Sequence, residues 1–135
     1  MTSTGTIFPW LREHTSLKIW FKGELAIKYG IDGVVISNHG GRQLNGMPST
    51  VDALRGCAPV AKNRIPIVVD GGIRRGSAIF KALALGASFC FIGRIPFWGY
   101  SGQEGVELAI RILRQGLRIT MALAGPDPLE AVVST

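Results

Sequence analysis

Long apolar runs are the first thing this sequence lacks. No uncharged apolar stretch approaches the roughly 18 residues that a spanning helix requires, which excludes a chain threaded through a bilayer as helices. Acidic residues are also scarce: 9 Asp plus Glu stand against 15 Lys plus Arg, a net charge of +6. The basic residues are scattered from Arg12 to Arg118, with Arg74-Arg75 the longest run. No aromatic platform is interleaved with them, so we expect no nucleic-acid partner. Only two cysteines occur, Cys57 and Cys90, without metal-ligand spacing. They read as buried thiols in a reducing compartment. No basic segment followed by an apolar one opens the chain, and Val133-Ser134-Thr135 is no recognisable address. We expect an intracellular, cytoplasmic protein, with an organelle as the alternative.

What is present points to a folded α/β chain. Apolar residues make up 47% and charged residues 18%, which excludes general disorder. A length of 135 residues suffices for one modest core. The 18 glycines cluster at the ends of apolar runs. Four such runs, at residues 17–21, 34–37, 67–70 and 89–92, are continuous rather than alternating. That pattern predicts parallel strands covered on both faces.

Helical periodicity fills the intervals. Ser49 reads as an N-cap with Asp52 three residues on, heading a helix over 49–58 with Val51, Leu54 and Ala58 on one face. Ser77 reads as the cap of a second helix, carrying Ile79, Phe80, Leu83 and Ala84 and stopped at Gly86. A third, over about 104–123, presents Val106, Ile110, Leu113 and Leu117. Gly116 inside it should cost about 1 kcal/mol relative to Ala. Residues 10–13 read as the end of a helix behind a loose start. Between the first two strands only residues 22–33 are available, with a helical stretch over 24–29, which is at the lower limit for a parallel crossover. Strand–helix repetition leaves a doubly wound sheet or part of a (β/α)₈ barrel. A whole barrel needs about 250 residues, so four βα units would be half of one.

The chemistry gathers at the strand ends. After the second strand comes Ser37-Asn38-His39-Gly40-Gly41-Arg42-Gln43-Leu44. His39 can take a proton near neutral pH, and the planar fork of Arg42 suits a carboxylate. After the third comes Asp70-Gly71-Gly72-Ile73-Arg74-Arg75-Gly76, and after the fourth Gly93-Arg94. Two glycine-and-arginine loops at neighbouring strand ends fit a shared phosphate. Arg55 and Arg75 read as solvated charges. Lys22, closing the first strand, fits a barrel mouth and a solvent-exposed edge equally well.

These segments resemble the FMN-dependent 2-hydroxy-acid dehydrogenases and oxidases, the group of glycolate oxidase, lactate oxidase and flavocytochrome b2. So do residues 80–87, the stretch Phe91-Ile92-Gly93-Arg94, and Thr120-Met121-Ala122-Leu123-Ala124-Gly125. The resemblance runs over residues 10–125, between a loose segment at 1–9 and a tail at 126–135. It implies a partial (β/α)₈ barrel holding strands five to eight. It further implies FMN as cofactor and a small 2-hydroxy acid as substrate, with hydride or its electrons passing to flavin N5.

By family position, His39 would be the base on the substrate hydroxyl and Arg42 would bind its carboxylate. Lys22 would sit by the flavin N1/O2 edge, and Ser37 would contact the flavin. Asp70, Gly71, Gly72, Ile73 and Arg74, with Gly93 and Arg94, would hold the ribityl chain and phosphate. The chain departs from the family at Gly23-Glu24-Leu25, where residues are missing, at Gly99-Tyr100-Ser101-Gly102, and beyond Gly125. Strands one to four, with their substrate-binding tyrosines and the aspartate that orients the histidine, are absent. The alternative reading is a phosphate- or FMN-binding assembly module without turnover. Open sheet edges also predict self-association.

Overall fold

A computed structural model describes residues 4–22, 30–61, 64–98 and 102–125. Helix α1 (Thr4–His14) leads into β1 (Trp20–Phe21). Then follow β2 (Gly33–Ser37), α2 (Thr50–Ala61), β3 (Ile67–Asp70), α3 (Gly76–Ala84), β4 (Phe89–Phe91), α4 (Ile95–Trp98) and α5 (Gly102–Ala124). The strands form one sheet in the order β1-β2-β3-β4, and every pairing is parallel.

Register divides the strand residues between two faces. Val34 pairs with Ile67, and Ile36 with Val69 and through it Cys90. These side chains face the helices, where Leu54 of α2 and Ala82 of α3 are fully buried among them. Phe8 of α1 joins this core and meets Phe21 edge-on at 5.1 Å. The opposite face carries Trp20, Gly33, Val35, Val68 and Phe89, then Ser37, Asp70 and Phe91 at the C-terminal ends. The Trp20 ring lies flat over Gly33, where a Cβ would stand 2.5 Å from it.

Helix ends follow local chemistry. The Asp52 N–H donates to Ser49 Oγ at 3.2 Å, and the Ser49 hydroxyl donates to Asp52 Oδ2 at 2.6 Å, so Ser49 caps α2 as expected. Helix α3 closes through a left-handed Gly86, φ 101°, with Gly86 N–H on Leu83 O and Ala87 N–H on Ala82 O, both at 3.0 Å. That is the paired bonding of a Schellman stop.

Several expectations are corrected. Residues 4–9 are not loose; they are the first turns of α1, held by the burial of Phe8. Ser77 does not cap α3: it lies inside the first turn, after an extended Arg75 that makes no side-chain cap. Strand β1 is shorter than 17–21, because only Trp20 and Phe21 meet β2 in register. Coverage on both faces holds for β3, where Ile67, Val68 and Val69 are all buried, and fails for β4. Phe89 and Phe91 are 58% and 54% exposed, since among the described residues nothing stands opposite the inner face of β4.

The buried side of α5 is also rotated from the expected stripe. Gly105 and Leu113 are buried, whereas Val106 and Ile110 are exposed. Small residues decide this, because they let α5 approach α3. A Cβ on Gly76 would run into Leu117 N and Gly116 C. Gly116, a liability for the helix alone, lies against that turn, and a Cβ on it would stand 3.3 Å from Gly76 N. The 24–29 crossover, the Gly23-Glu24-Leu25 junction and the 126–135 tail lie outside the described residues, as do residues 99–101.

Candidate functional site at the strand C-terminal ends

Ser37 ends β2 and Asp70 ends β3 at the same register level. The Ser37 hydroxyl donates to Asp70 Oδ2 at 2.7 Å and accepts the His39 N–H at 3.1 Å. That second bond holds a bend in which His39 itself is left-handed, φ 56°. A non-glycine residue there is strained, and functional sites are where such strain concentrates. Gly40 and Gly41 continue the bend at φ 65° and 74°, and Gly41 N–H returns to Asn38 O at 3.0 Å. A Cβ at Gly40 would stand 3.3 Å from Arg94 Nη2, the movable end of an exposed side chain.

After β3 the chain turns through Gly71 and Gly72, φ 100° and 77°. A Cβ at Gly71 would stand 3.1 Å from Asn38 Oδ1. The buried Thr50 hydroxyl donates to Gly71 O at 3.0 Å, tying this turn to the start of α2. Lys22, just past β1, reaches across the mouth. Its Nζ stands 3.3 Å from His39 Nδ1 and 4.0 Å from Asp70 Oδ2. An ammonium only donates, so Nδ1 is the acceptor and the neutral ring carries its proton on Nε2.

A cavity of about 240 Å³ opens here, lined by His39, Gly40, Arg42, Asp70, Gly71, Gly72, Ile73, Arg74, Phe91, Gly93, Arg94 and Ile95. Arg42, Arg74 and Arg94 are exposed and have no ion-pair partner among the described residues. The walls therefore suit an anion. Pockets that enclose drug-sized molecules run from about 300 Å³ upward. This one fits a phosphate and a short polyol better than a whole tricyclic ring. A larger cavity of about 810 Å³ lies at the other end of β3, near Arg55, Pro59, Arg64 and Leu85. It gathers no histidine or carboxylate, and none of the expected residues.

The structure thus brings every sequence-predicted site residue to one mouth. Lys22 is exposed at the end of the edge strand and reaches this mouth through His39 and Asp70. Phe91, Ile95, Asn38 and Thr50 were not anticipated. Phe91 was legible, because two-residue alternation along β4 sets it on the face of Asp70. Thr50 carries no sequence signal beyond being next to a cap.

A sheet of parallel strands with helices on its outer side and polar groups at its C-terminal rim is one wall of a (β/α)₈ barrel. The FMN-dependent dehydrogenase family matches residues 3–135, and the chain belongs to that family.

Oxidase FUB9 of Gibberella fujikuroi is 51% identical over 132 residues, covering 91% of this chain and 37% of its own. The 2-hydroxyacid oxidase 1 of Mus musculus is 41% identical over 135 residues, 93% of this chain and 36% of its own. The peroxisomal (S)-2-hydroxyacid oxidase GLO3 of Arabidopsis thaliana is 46% identical over 132 residues, 91% of this chain and 36% of its own. The chain therefore spans little more than a third of the curated relatives it matches.

Among solved structures, mandelate oxidase with benzoyl-formic acid superposes with a TM-score of 0.84 at 35% identity, covering 96% of this chain and 42% of that one. A putative lactate oxidase of Pediococcus acidilactici gives 0.85 at 36%, covering 97% and 39%. The four-stranded wall is accordingly a partial TIM-type barrel. No helix among the described residues is long and apolar enough to cross a membrane.

Proposed function

We propose that this chain is the C-terminal half of an FMN-dependent site that oxidises a small 2-hydroxy acid to a 2-oxo acid, with β1 to β4 standing as barrel strands five to eight. The observation that carries the reading is one cavity lined by His39, Asp70 and three arginines that have no ion-pair partner among the described residues, with Lys22 and Ser37 in contact with His39 and Asp70 beside it. The family, and a mandelate oxidase variant solved with an FMN adduct at 35% identity, support FMN as the group held.

FMN, when bound, supplies the two-electron acceptor. Arg74 and Arg94, with the backbone of Gly71, Gly72 and Gly93, hold the phosphate. Asp70 and Ile73 line the ribityl chain, Ser37 touches the flavin, and Lys22 offsets negative charge on it. Arg42 grips the substrate carboxylate through its fork. His39 accepts the hydroxyl proton at a ring nitrogen.

That last role sets a condition. A base needs its lone pair toward the substrate and its other nitrogen held by an acceptor. Here Nδ1 is instead occupied by the Lys22 ammonium. The half barrel holds its cofactor end ready while its base waits for an orienting acceptor from elsewhere.

The test is reconstitution. The 135-residue chain, alone and joined to the strand one-to-four half of a relative, is loaded with FMN, desalted and scanned for flavin absorbance. Retained flavin in both, bleached by a 2-hydroxy acid under anaerobic conditions only in the joined form, is expected. Failure to retain FMN in either form overturns the reading.

A further inference from the structure

Among the described residues Thr50 is the only polar side chain that is buried, at 5% exposure. The helix start it occupies does not need it. Ser49 already caps α2, accepting the Asp52 N–H at 3.2 Å and donating to Asp52 Oδ2 at 2.6 Å. The Thr50 hydroxyl donates instead to Gly71 O at 3.0 Å, 21 residues along the chain, in the turn that follows β3. A buried donor committed to one loop carbonyl fixes the orientation of that peptide.

The consequence falls on the next N–H. The Gly71–Gly72 peptide is trans, so its C=O and N–H point to opposite sides. With Gly71 O held toward α2, the Gly72 N–H is turned away from α2. Neither Gly71 N–H nor Gly72 N–H has a hydrogen-bond partner among the described residues, and both glycines line the cavity at the strand ends. Two successive glycines at φ 100° and 77° would otherwise turn freely. Here the first is gripped from both sides: a Cβ on Gly71 would stand 3.1 Å from Asn38 Oδ1 and 3.6 Å from Thr50 Cγ2.

We propose that Thr50 is a positioning residue for the cofactor phosphate, its hydroxyl holding the Gly71–Gly72 peptide so that the Gly72 N–H is presented to that phosphate. The proposal rests on the FMN reading above and deepens it by naming what sets the grip. Thr50 is not among the residues lining the cavity, so it acts only through Gly71. The exposed side chains of Arg74 and Arg94 can follow an anion wherever it settles. A backbone donor fixed from behind cannot, and it therefore decides where the phosphate sits.

The test is the selectivity of the chain between FMN and riboflavin, read by quenching of flavin fluorescence. Thr50→Val keeps the shape of the side chain and removes its donor. It should weaken FMN binding about threefold to tenfold and leave riboflavin binding unchanged, since only the phosphate uses the displaced N–H. Thr50→Ser keeps the hydroxyl and should retain the parent's selectivity. Ser49→Ala removes the cap of the same helix without touching Gly71, so it should lower thermal stability and leave selectivity alone. In the parent, the Gly72 amide proton should move downfield with FMN and stay in place with riboflavin, a reading that needs no variant.

A parent that prefers FMN, with the full preference kept in Thr50→Val, overturns the proposal and leaves the FMN reading standing. So does a Gly72 amide that does not respond to FMN. A Ser49→Ala that loses as much selectivity as Thr50→Val also overturns it, because the hydroxyl would then only brace α2. A parent that binds FMN and riboflavin alike, or binds neither, overturns the FMN reading and this proposal with it.

Discussion

Lys22 Nζ stands 3.3 Å from His39 Nδ1, closer than to Asp70 Oδ2 at 4.0 Å. The Asp70 carboxylate already accepts the Ser37 hydroxyl at 2.7 Å, which leaves the lysine to bridge a ring nitrogen and a shared acid. A donor on Nδ1 selects the tautomer with its proton on Nε2. Nitrogen-15 spectra of the ring at alkaline pH should show that tautomer dominant for His39 in the isolated chain. In Lys22→Met the preference should relax toward a mixture. An unchanged spectrum would mean that the contact does not govern the ring.

In the assembled, FMN-loaded barrel, His39→Gln should lower turnover by about a hundredfold or more while flavin stays bound, because only proton removal is lost. Arg42→Lys should act mainly on KM, since an ammonium cannot reproduce the two parallel bonds of the guanidinium to a carboxylate. Steady-state kinetics beside a flavin titration separate the two effects. Unchanged kinetics in both variants would remove these residues from the site.

The paired arginine loops make their own prediction. Riboflavin has no phosphate, so it forfeits charge-assisted bonds worth about 1.5–3 kcal/mol each. It should bind at least about tenfold more weakly than FMN, and Arg74→Ala with Arg94→Ala should erase that preference. Quenching of flavin fluorescence reads both affinities. Equal binding of the two flavins in the unaltered chain would refute a phosphate role.

Strand positions were legible because β-branched runs bounded by glycine are a local signal: Ile67–Asp70 stands where the pattern set it. The site was legible for the same reason, since parallel strands deliver their C-terminal loops to one rim whatever lies between. What escaped depended on partners distant in sequence. The burial of Phe8 comes from Phe21, and the rotation of α5 comes from Gly76 meeting Gly116. A continuous apolar run also cannot say whether both its faces are covered. In β4 only the Cys90 side is, and burial raises the pKa of that thiol.

The glycine contact between α3 and α5 is testable by adding one carbon at a time. Alanine in place of glycine inside a helix ordinarily gains about 1 kcal/mol. At Gly76 the added Cβ would meet Leu117 N and Gly116 C, both backbone, which cannot step aside alone. Gly76→Ala should therefore lose about 1–3 kcal/mol in urea unfolding, by forcing the helices apart. At Gly116 the nearest atom is Gly76 N at 3.3 Å, a contact relieved by a few tenths of an ångström. Gly116→Ala should come out near neutral. Equal effects would show that the helices do not touch here.

Asp32 ties three elements together, and acid should release them. Its Oδ2 accepts the Ile19 N–H at 2.6 Å and Arg12 Nη2 at 2.7 Å, and Arg12 Nη2 also donates to Gly30 O at 3.0 Å. The Ile19 bond, chiefly, holds the carboxyl below its usual pKa; partial burial opposes this, and the Arg12 guanidinium adds to the lowering. A carboxyl whose pKa is lower folded than unfolded stabilises the fold fully above the unfolded value, about 3.9. That stabilisation drains as pH falls through the lower folded value. Asp32→Asn should thus be less stable than the parent at neutral pH, by a modest margin for a partly exposed pair. The gap should narrow as pH falls below about 4, where the parent carboxyl is also neutral. Thermal midpoints of the two proteins across that range give the answer. A gap that stays constant with pH would show that the ionised carboxylate is not what joins α1 to the start of β2.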